Sequence, residues 1–383
     1  MVIIISSTGS DNARTITANV RLNDDGTAVV ILDQTLLPNE TKYLELRDAE
    51  ELFSAIALLR VRGAPAIGIF AAFALYVYSH NMYLRNPSPR NANSFDLNSR
   101  NVNSNYLALD CMDYEGFRAE VAKFSSKLCS ARPTAVNLAR QLKRMENLVH
   151  SLADMPVLQI LDAMREEANA IQQDDIDMCR AISEHGLTLI RDGAGILTHC
   201  NAGPLATSNY GTGLGPILLA QERGMRLRIF CDETRPLLQG ARLTMYELMS
   251  AGVDCTLICD NMASLVMKEG KIDAVFVGCD RVARNGDVAN KIGTSGVAIF
   301  AKHYGIPFYV FCPSSTIDSD CATGADIEIE QRPPQEITQM FFEKPTAPSG
   351  AKCVNPSFDV TDANLVTAII TEKGIHRAPY DFG

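Results

Sequence analysis

What the sequence lacks removes several chemistries at once. The 383 residues hold only six scattered histidines, with no H-E-x-x-H and no Cys-x-x-Cys pair, so a structural zinc site has no ligand spacing to stand on. There is no P-loop. A net charge of −10 supplies none of the basic surface on which nucleic-acid binding rests, although a local pocket for a small phosphate remains open. The longest apolar stretch, Ala64 to Tyr78, contains Pro65 and Gly68 and falls short of the ~20 residues that a membrane-spanning helix needs. It reads as a buried core helix. The N-terminus has a short apolar patch without a basic flank or cleavage signal, so export is not expected. Eleven cysteines, with Cys255 and Cys259 four apart inside an apolar run, read as reduced, mostly buried thiols of a cytosolic protein.

What is present is the material of a globular α/β protein. Apolar residues make up 46% and charged residues 21%, enough for a large core, and the length favours two unequal domains over one. We place the division at 155/156. In the first part, the run Ala28 to Gln34 and its flanking polar stretches suggest short strands, Asp48 can cap a helix over Glu51 to Leu59, and a second helix follows Arg62-Gly63-Ala64-Pro65. Residues 86–105 collapse to Asn, Ser and Pro, a composition expected to be disordered because it buries too little to offset ordering. Helical patterns resume at Tyr114 and continue to His185, which makes residues 1–155 a mainly helical domain with short strands.

From Gly186 the pattern changes to short apolar runs: Gly195–His199, Leu227–Cys231, Val253–Ile258, Ala274–Val277 and Pro307–Phe311. Near-continuous apolar runs, each followed by a helical stretch, predict a parallel sheet covered on both faces. Residues 156–383 are therefore expected to form a doubly wound, Rossmann-like domain. Such sheets bind ligands at the carboxyl ends of their strands, where this sequence places Cys200-Asn201-Ala202-Gly203, Asp232-Glu233-Thr234-Arg235, Asp260-Asn261, Asp280-Arg281 and Ser314-Ser315-Thr316. Alone, Cys200 reads more readily as a small buried hydrophobe than as a catalyst, and Asp280 reads equally as a helix cap or a partner of Arg281. His199 points away from its neighbour Cys200 in a strand and reads as a satisfied core histidine. Gly211, Gly213 and Gly215 have the spacing G-x-G-x-G and lie well past the strand end, so the dinucleotide fingerprint fails. Arg62-Gly63 before a helix could close on an anion at the helix N-terminus or form a plain loop-to-helix turn with Pro65 in its first turn.

Six segments, taken together, resemble the methylthioribose-1-phosphate isomerase family: R-G-A-P-A-I-G at 62–68, R-P-T-A-V-N-L at 132–138, T-H-C-N-A-G at 198–203, E-T-R-P-L-L-Q-G-A-R-L-T at 233–244, G-C-D-R-V-A-R-N-G-D-V-A-N-K-I-G-T at 278–294 and N-P-S-F-D-V-T at 355–361. That family shares a superfamily with regulatory subunits of the exchange factor for translation initiation factor two and with ribose-1,5-bisphosphate isomerases. The resemblance implies an aldose–ketose isomerase of methionine salvage that uses no cofactor and no metal, with a thiol and a carboxyl at Cys200 and Asp280 as the catalytic pair. It implies that Arg62, Gly63, Ala64 and Arg132 hold the substrate and its phosphate, that Gln239 meets the sugar hydroxyls, and that Asn290 and Lys291 close the site from the last helical segment. It implies a lid from the helical region, a homodimer, and a cytoplasmic protein with a nuclear share left open. Departures from the family pattern are Cys279 for Ala, Ser295 for Tyr, and Pro204 and Asn209 in the loop after Cys200. The implied chemistry gives Asp280 the role of an acid kept protonated by burial near Val275, Phe276 and Val277, with Cys200 acting between C2 and C1.

Overall fold

The computed structural model describes residues 19–85, 113–133 and 135–383; the N-terminal stretch on which the export expectation falls and the Asn/Ser-rich segment 86–105 lie outside them. Two compact units emerge, Asn19–Thr35 with Thr41–Asp174, and Leu36–Glu40 with Asp175–Gly383.

The N-terminal unit holds an antiparallel sheet of β1 (Val20–Leu22), β2 (Val29–Leu32) and β3 (Tyr43–Leu46), with helices α1 (Ala49–Ala57), α2 (Ala64–Arg85), α3 (Tyr114–Ala131) and α4 (Val136–Ser151). Asp48 begins α1 through a capping box with Glu51, which satisfies two of the backbone N–H groups a helix start leaves unpaired. Helix α2 is long and apolar enough by composition to cross a membrane, yet 72% of its apolar window is buried, with Phe70 and Phe73 in the centre of the unit's core. The division falls inside α5 (Val157–Leu187), not at 155/156. The reason is packing: Ile160, Leu161, Met164 and Ile171 join the core of the N-terminal unit, whereas Ile182 joins the core of the other. One uninterrupted amphipathic pattern gives no hint of that exchange.

The C-terminal unit is built on β4 (Gly195–His199), β5 (Arg228–Asp232), β6 (Cys255–Ile258), β7 (Ala274–Val277), β10 (Phe308–Phe311), β13 (Ala368–Thr371) and β14 (Gly374–His376). Their spatial order is β14-β13-β10-β7-β4-β5-β6, all parallel except the last hairpin β13–β14. Leaving β14 aside, this is the doubly wound order 3-2-1-4-5-6. Alternate residues feed two apolar layers: Ile196, Ile229, Phe276 and Phe311 on one face, Leu197, Val275, Val277 and Val310 on the other. Helices α6 (Gly215–Glu222), α7 (Met245–Ser250), α8 (Ala263–Lys268) and α9 (Thr294–Tyr304) cover them.

The expected strand-then-helix alternation breaks after β7. There the chain builds a second sheet, ordered β11-β8-β9-β12, from β8 (Arg281–Ala283), β9 (Val288–Lys291), β11 (Ile317–Asp318) and β12 (Phe358–Thr361). The β8–β9 hairpin turns through Asn285-Gly286, with Gly286 at φ 87°, a conformation that costs glycine little. Asn290 and Lys291 therefore lie in a strand and not in a helical segment.

Candidate functional site

Strand β4 is where the winding direction reverses, since β5 and β6 lie to one side of it and β7, β10 and β13 to the other. His199 pairs with Val277, so Cys200 and Gly278 leave the sheet side by side across a spacing of about 4.8 Å between strands. Asp280 follows two residues later, its N–H donating to the Ala289 carbonyl at 3.0 Å where the β8–β9 hairpin begins. The structure thus brings Cys200 and Asp280 to neighbouring strand ends at the topological switch point.

The Cys200 turn is strained and held. Cys200, 9% exposed, has φ 66°, and Thr234 has φ 65°; each left-handed non-glycine residue costs about 1–3 kcal/mol, and for a β-branched threonine the conformation is a true outlier. Hydrogen bonds enforce it. The Cys200 N–H donates to Thr234 Oγ1 at 2.9 Å, and the Thr244 hydroxyl donates to the Cys200 carbonyl at 2.6 Å. The Thr234 hydroxyl in turn donates to the Asp232 carbonyl at 3.1 Å, and the N–H groups of Thr234 and Arg235 both donate to the Asp260 carboxylate at 2.7 Å. Next to the thiol, the Asn201 amide donates to Thr244 Oγ1 at 3.1 Å and to the buried Glu247 carboxylate, which also accepts the Leu205 N–H at 2.5 Å.

Thr244 ends a π-turn, Gly240–Thr244, that leads into α7; such turns are frequent at functional sites. Gln239 opens it, buried, with its Oε1 lacking any hydrogen-bond partner, an acceptor ready for a ligand hydroxyl. Gly240 is required here because a Cβ would lie 1.7 Å from the Asp232 carbonyl oxygen. Asn290 and Lys291 are also buried. Asn290 Nδ2 donates to Thr294 Oγ1 at 3.1 Å, and Lys291 Nζ donates to the Ser357 carbonyl at 2.8 Å while sitting 4.6 Å from the centre of the Phe358 ring.

Asp280 is half-buried, and Val275 and Val277 belong to one apolar layer while Phe276 belongs to the other, so those three side chains cannot enclose the carboxyl together. It precedes a strand, not a helix, so it caps nothing, and the Arg281 guanidinium lies 3.6 Å from Asp318. Gly211 and Gly213 serve backbone contact: at Gly211, φ 84°, a Cβ would come within 2.3 Å of Gly203 Cα. Cysteines described are all free thiols, though Cys259 is exposed.

His199 is buried, with Nδ1 3.0 Å from Asp232 Oδ2 and Nε2 donating to the Ile292 carbonyl at 2.9 Å. Burial opposes a charged ring, but the hydrogen bond and charge of Asp232, with Asp260 and the Ile292 carbonyl, hold the His199 pKa above its ordinary value. His199, Asp232 and Asp260 carry potential metal-ligand atoms within 4.8 Å of one another. Both ring nitrogens and both Asp260 oxygens have hydrogen-bond partners, whereas the buried Asp232 Oδ1 has none among the described residues.

In the N-terminal unit, Gly63 has φ 99° and Ala64 is the first residue of α2, while Arg62 Nε donates to Gln34 Oε1 at 3.2 Å. A Cβ on Gly68 would lie 2.9 Å from the Asn137 carbonyl oxygen, so the first turns of α2 and α4 touch, and Arg62–Ala64 and Arg132 flank two helix N-termini at one end of this unit. Helix N-termini attract anions, and Pro65 sits in the first turn of α2 as the plain loop-to-helix turn requires, so the arrangement accommodates both readings of the motif. Sequence reasoning missed Thr244 and Glu247. Their only trace is an i, i+3 spacing of polar residues on one face of an otherwise apolar helical stretch.

The Initiation factor 2 subunit family model matches residues 60–378. Over 361 residues the chain is 57% identical to a methylthioribose-1-phosphate isomerase of Symbiobacterium thermophilum, covering 94% of this chain and 93% of that one. It is 53% identical, over 94% and 96%, to a 5-deoxyribose 1-phosphate isomerase of Petrotoga mobilis. Among solved structures it is similar to 5-methylthioribose 1-phosphate isomerase of Pyrococcus horikoshii OT3 (TM-score 0.81, 36% identity, 95% and 93% covered). It is also similar to a protein of A. fulgidus described as translation initiation factor eIF-2B, subunit delta (TM-score 0.79, 37% identity, 95% and 96% covered).

Proposed function

We propose that this chain, which belongs to the Initiation factor 2 subunit family and within it to the sugar-phosphate isomerases, converts 5-methylthioribose 1-phosphate to 5-methylthioribulose 1-phosphate. The observation that carries the reading is the strained, fully braced Cys200 turn beside Asp280 at the switch point of the sheet. Strain of this kind persists only where the surroundings over-determine it, and it gathers at active sites.

The substrate's phosphate sits on C1, so the ring cannot open to a free aldehyde in the ordinary way. In our reading Asp280 protonates the ring oxygen and the bond from that oxygen to C1 breaks. The hydrogen on C2 then moves. Either the Cys200 thiolate takes it as a proton, leaving an enol across C1 and C2 that the Cys200 thiol reprotonates at C1, or it passes to C1 as a hydride; in both routes the C2 hydroxyl becomes a carbonyl and its proton returns to the Asp280 carboxylate. Each route is a net isomerisation and consumes no redox partner. Gln239, with its unpaired buried acceptor, is assigned to a sugar hydroxyl, and Asn290 and Lys291 to the polar groups around C1 to C3. Arg62, Gly63, Ala64 and Arg132 are assigned to phosphate recognition. A substrate carrying deuterium at C2 separates the routes: label lost to water rules out the hydride path, and label retained at C1 counts against solvent-exchanging proton abstraction.

A second reading, 5-deoxyribose 1-phosphate as substrate, is favoured by the name of the Petrotoga relative. The reacting atoms are the same and only the group on C5 differs. The test is turnover by purified protein, with no cofactor added, of 5-methylthioribose 1-phosphate, 5-deoxyribose 1-phosphate and ribose 1,5-bisphosphate. The highest kcat/KM on the first supports the reading, and turnover of none of them would favour the role of a regulatory binding subunit.

A further inference from the structure

We propose that His199 is a positioning residue for the isomerisation, locking the Cys200 turn and the Asn290–Lys291 strand to each other through one buried imidazole. The proposal rests on the isomerase reading above.

Three strand ends meet on this ring, two of which carry site residues. His199 is the last residue of β4, and Cys200 follows it directly. Its Nδ1 reaches the Asp232 carboxylate at the end of β5, and the backbone carbonyl of that same residue accepts the Thr234 hydroxyl that receives the Cys200 N–H. Its Nε2 reaches the Ile292 carbonyl, one residue past Lys291. A carbonyl can only accept, so Nε2 carries a hydrogen and the ring orientation is fixed. Gly293, at φ 105°, lies against the ring so closely that a Cβ would come within 2.7 Å of His199 Cε1. On its far side this turn is clamped again, because the N–H groups of Gly293 and Ser295 donate to Asp359 at 2.8 and 3.1 Å.

The charges around the ring argue for imidazole and nothing else. Asp232 from β5, Asp260 from the segment after β6 and Asp359 from β12 all act on it electrostatically. An apolar side chain of similar size would fill the space but strand the Asp232 carboxylate in the interior without a partner, and breaking such buried pairs is strongly destabilising. The geometry therefore assigns the ring a mechanical task. A misplacement of about 1 Å at a reacting group can cost ~10²-fold in rate, and His199 is bonded to both the Cys200 side, through Asp232, and the Lys291 side, through the Ile292 carbonyl.

The experiment compares wild type with His199→Asn, which keeps a donor toward Asp232 but cannot reach Ile292, and His199→Gln, which reaches Ile292 but releases Asp232. In each variant kcat for 5-methylthioribose 1-phosphate should fall by about tenfold or more. In parallel, iodoacetamide labelling read by peptide mass spectrometry should accelerate several-fold at Cys200 relative to the buried Cys179 and Cys312. A merely structural histidine would loosen all three thiols alike and leave kcat and KM of the folded fraction within about twofold, and that result overturns the proposal. Wild type that turns over no sugar phosphate, with Cys200-selective acceleration in the variants, would sink the isomerase reading while upholding the mechanical coupling. Should neither variant fold, the wild-type protein decides. A ring N–H protected from exchange at pH 7 should shift when 5-methylthioribose 1-phosphate is added, and an unmoved signal refutes the coupling.

Discussion

Replacing Asp175 by Asn should make the protein more stable at alkaline pH, and the gain should vanish as the pH falls. Asp175 lies in α5 with 4% exposure, accepts the Ser208 N–H at 2.8 Å and faces the Cys179 thiol at 3.9 Å. Burial raises its pKa from 3.8 to about 7 against the pull of those donors. The native state thus holds this proton more tightly than the unfolded chain, so stability falls as the pH rises from about 4 to about 7 and then levels off. A displacement of roughly three units corresponds to ~4 kcal/mol in all, of which ~3 kcal/mol is lost between pH 5 and pH 8. An amide cannot ionise, yet its oxygen still accepts the Ser208 N–H. Thermal midpoints of wild type and Asp175→Asn, measured at pH 5 and pH 8, should therefore diverge by an order of 5–10 °C at the higher pH, at ~2–4 °C per kcal/mol for a unit of this size. A difference between the two proteins that does not change with pH would show that Asp175 does not hold its proton in the fold.

Further outcomes can be checked on the site itself. Cys200→Ser should fold normally and lose nearly all turnover, whereas a protein that merely melts earlier at unchanged specific activity would make the thiol structural. Asp280→Asn should bind substrate but lose ~10²–10⁴-fold in kcat, measured under saturation, with near-normal turnover dismissing the acid role. Gln239→Leu should raise the thermal midpoint, because an unpaired buried acceptor costs about 1–3 kcal/mol, and should also raise KM; an unchanged KM would remove Gln239 from substrate contact. Thr234→Val removes the acceptor of the Cys200 N–H and should destabilise by a few kcal/mol while lowering kcat, as read by urea unfolding and rate assays together.

How far the sequence could be read depended on whether a signal was local. Runs such as Ala274–Val277 and Phe308–Phe311 announce buried parallel strands because both faces must be apolar, and the residues after them therefore marked the edge where Cys200 and Asp280 meet. Asn290 and Lys291 were harder. Their strand belongs to a small sheet whose pairing with β12 joins residues almost seventy positions apart, and the only local clue was the Asn285-Gly286 turn. The division within α5 left no periodic trace, and the bracing by Thr244 and Glu247 left only their i, i+3 spacing, since both depend on which surfaces meet after folding. His199 was legible as a satisfied core residue, but its partners Asp232 and Ile292 were not, because hydrogen bonds across 33 and 93 residues leave no pattern along the chain.

Where Gly278 leaves β7, an added methyl group would collide with Ala202 Cβ at 2.6 Å, and at Gly211 it would strike the main chain of Ala202 and Gly203. At this strand edge main chain is thus pressed on main chain at Gly211, and on the methyl group of Ala202 at Gly278. Neither glycine can be exchanged for a larger residue without moving its neighbour. On the reading proposed above, a change of sugar would have to be sought at side chains such as Gln239 and Asn290, because these two positions hold the smallest residue there is.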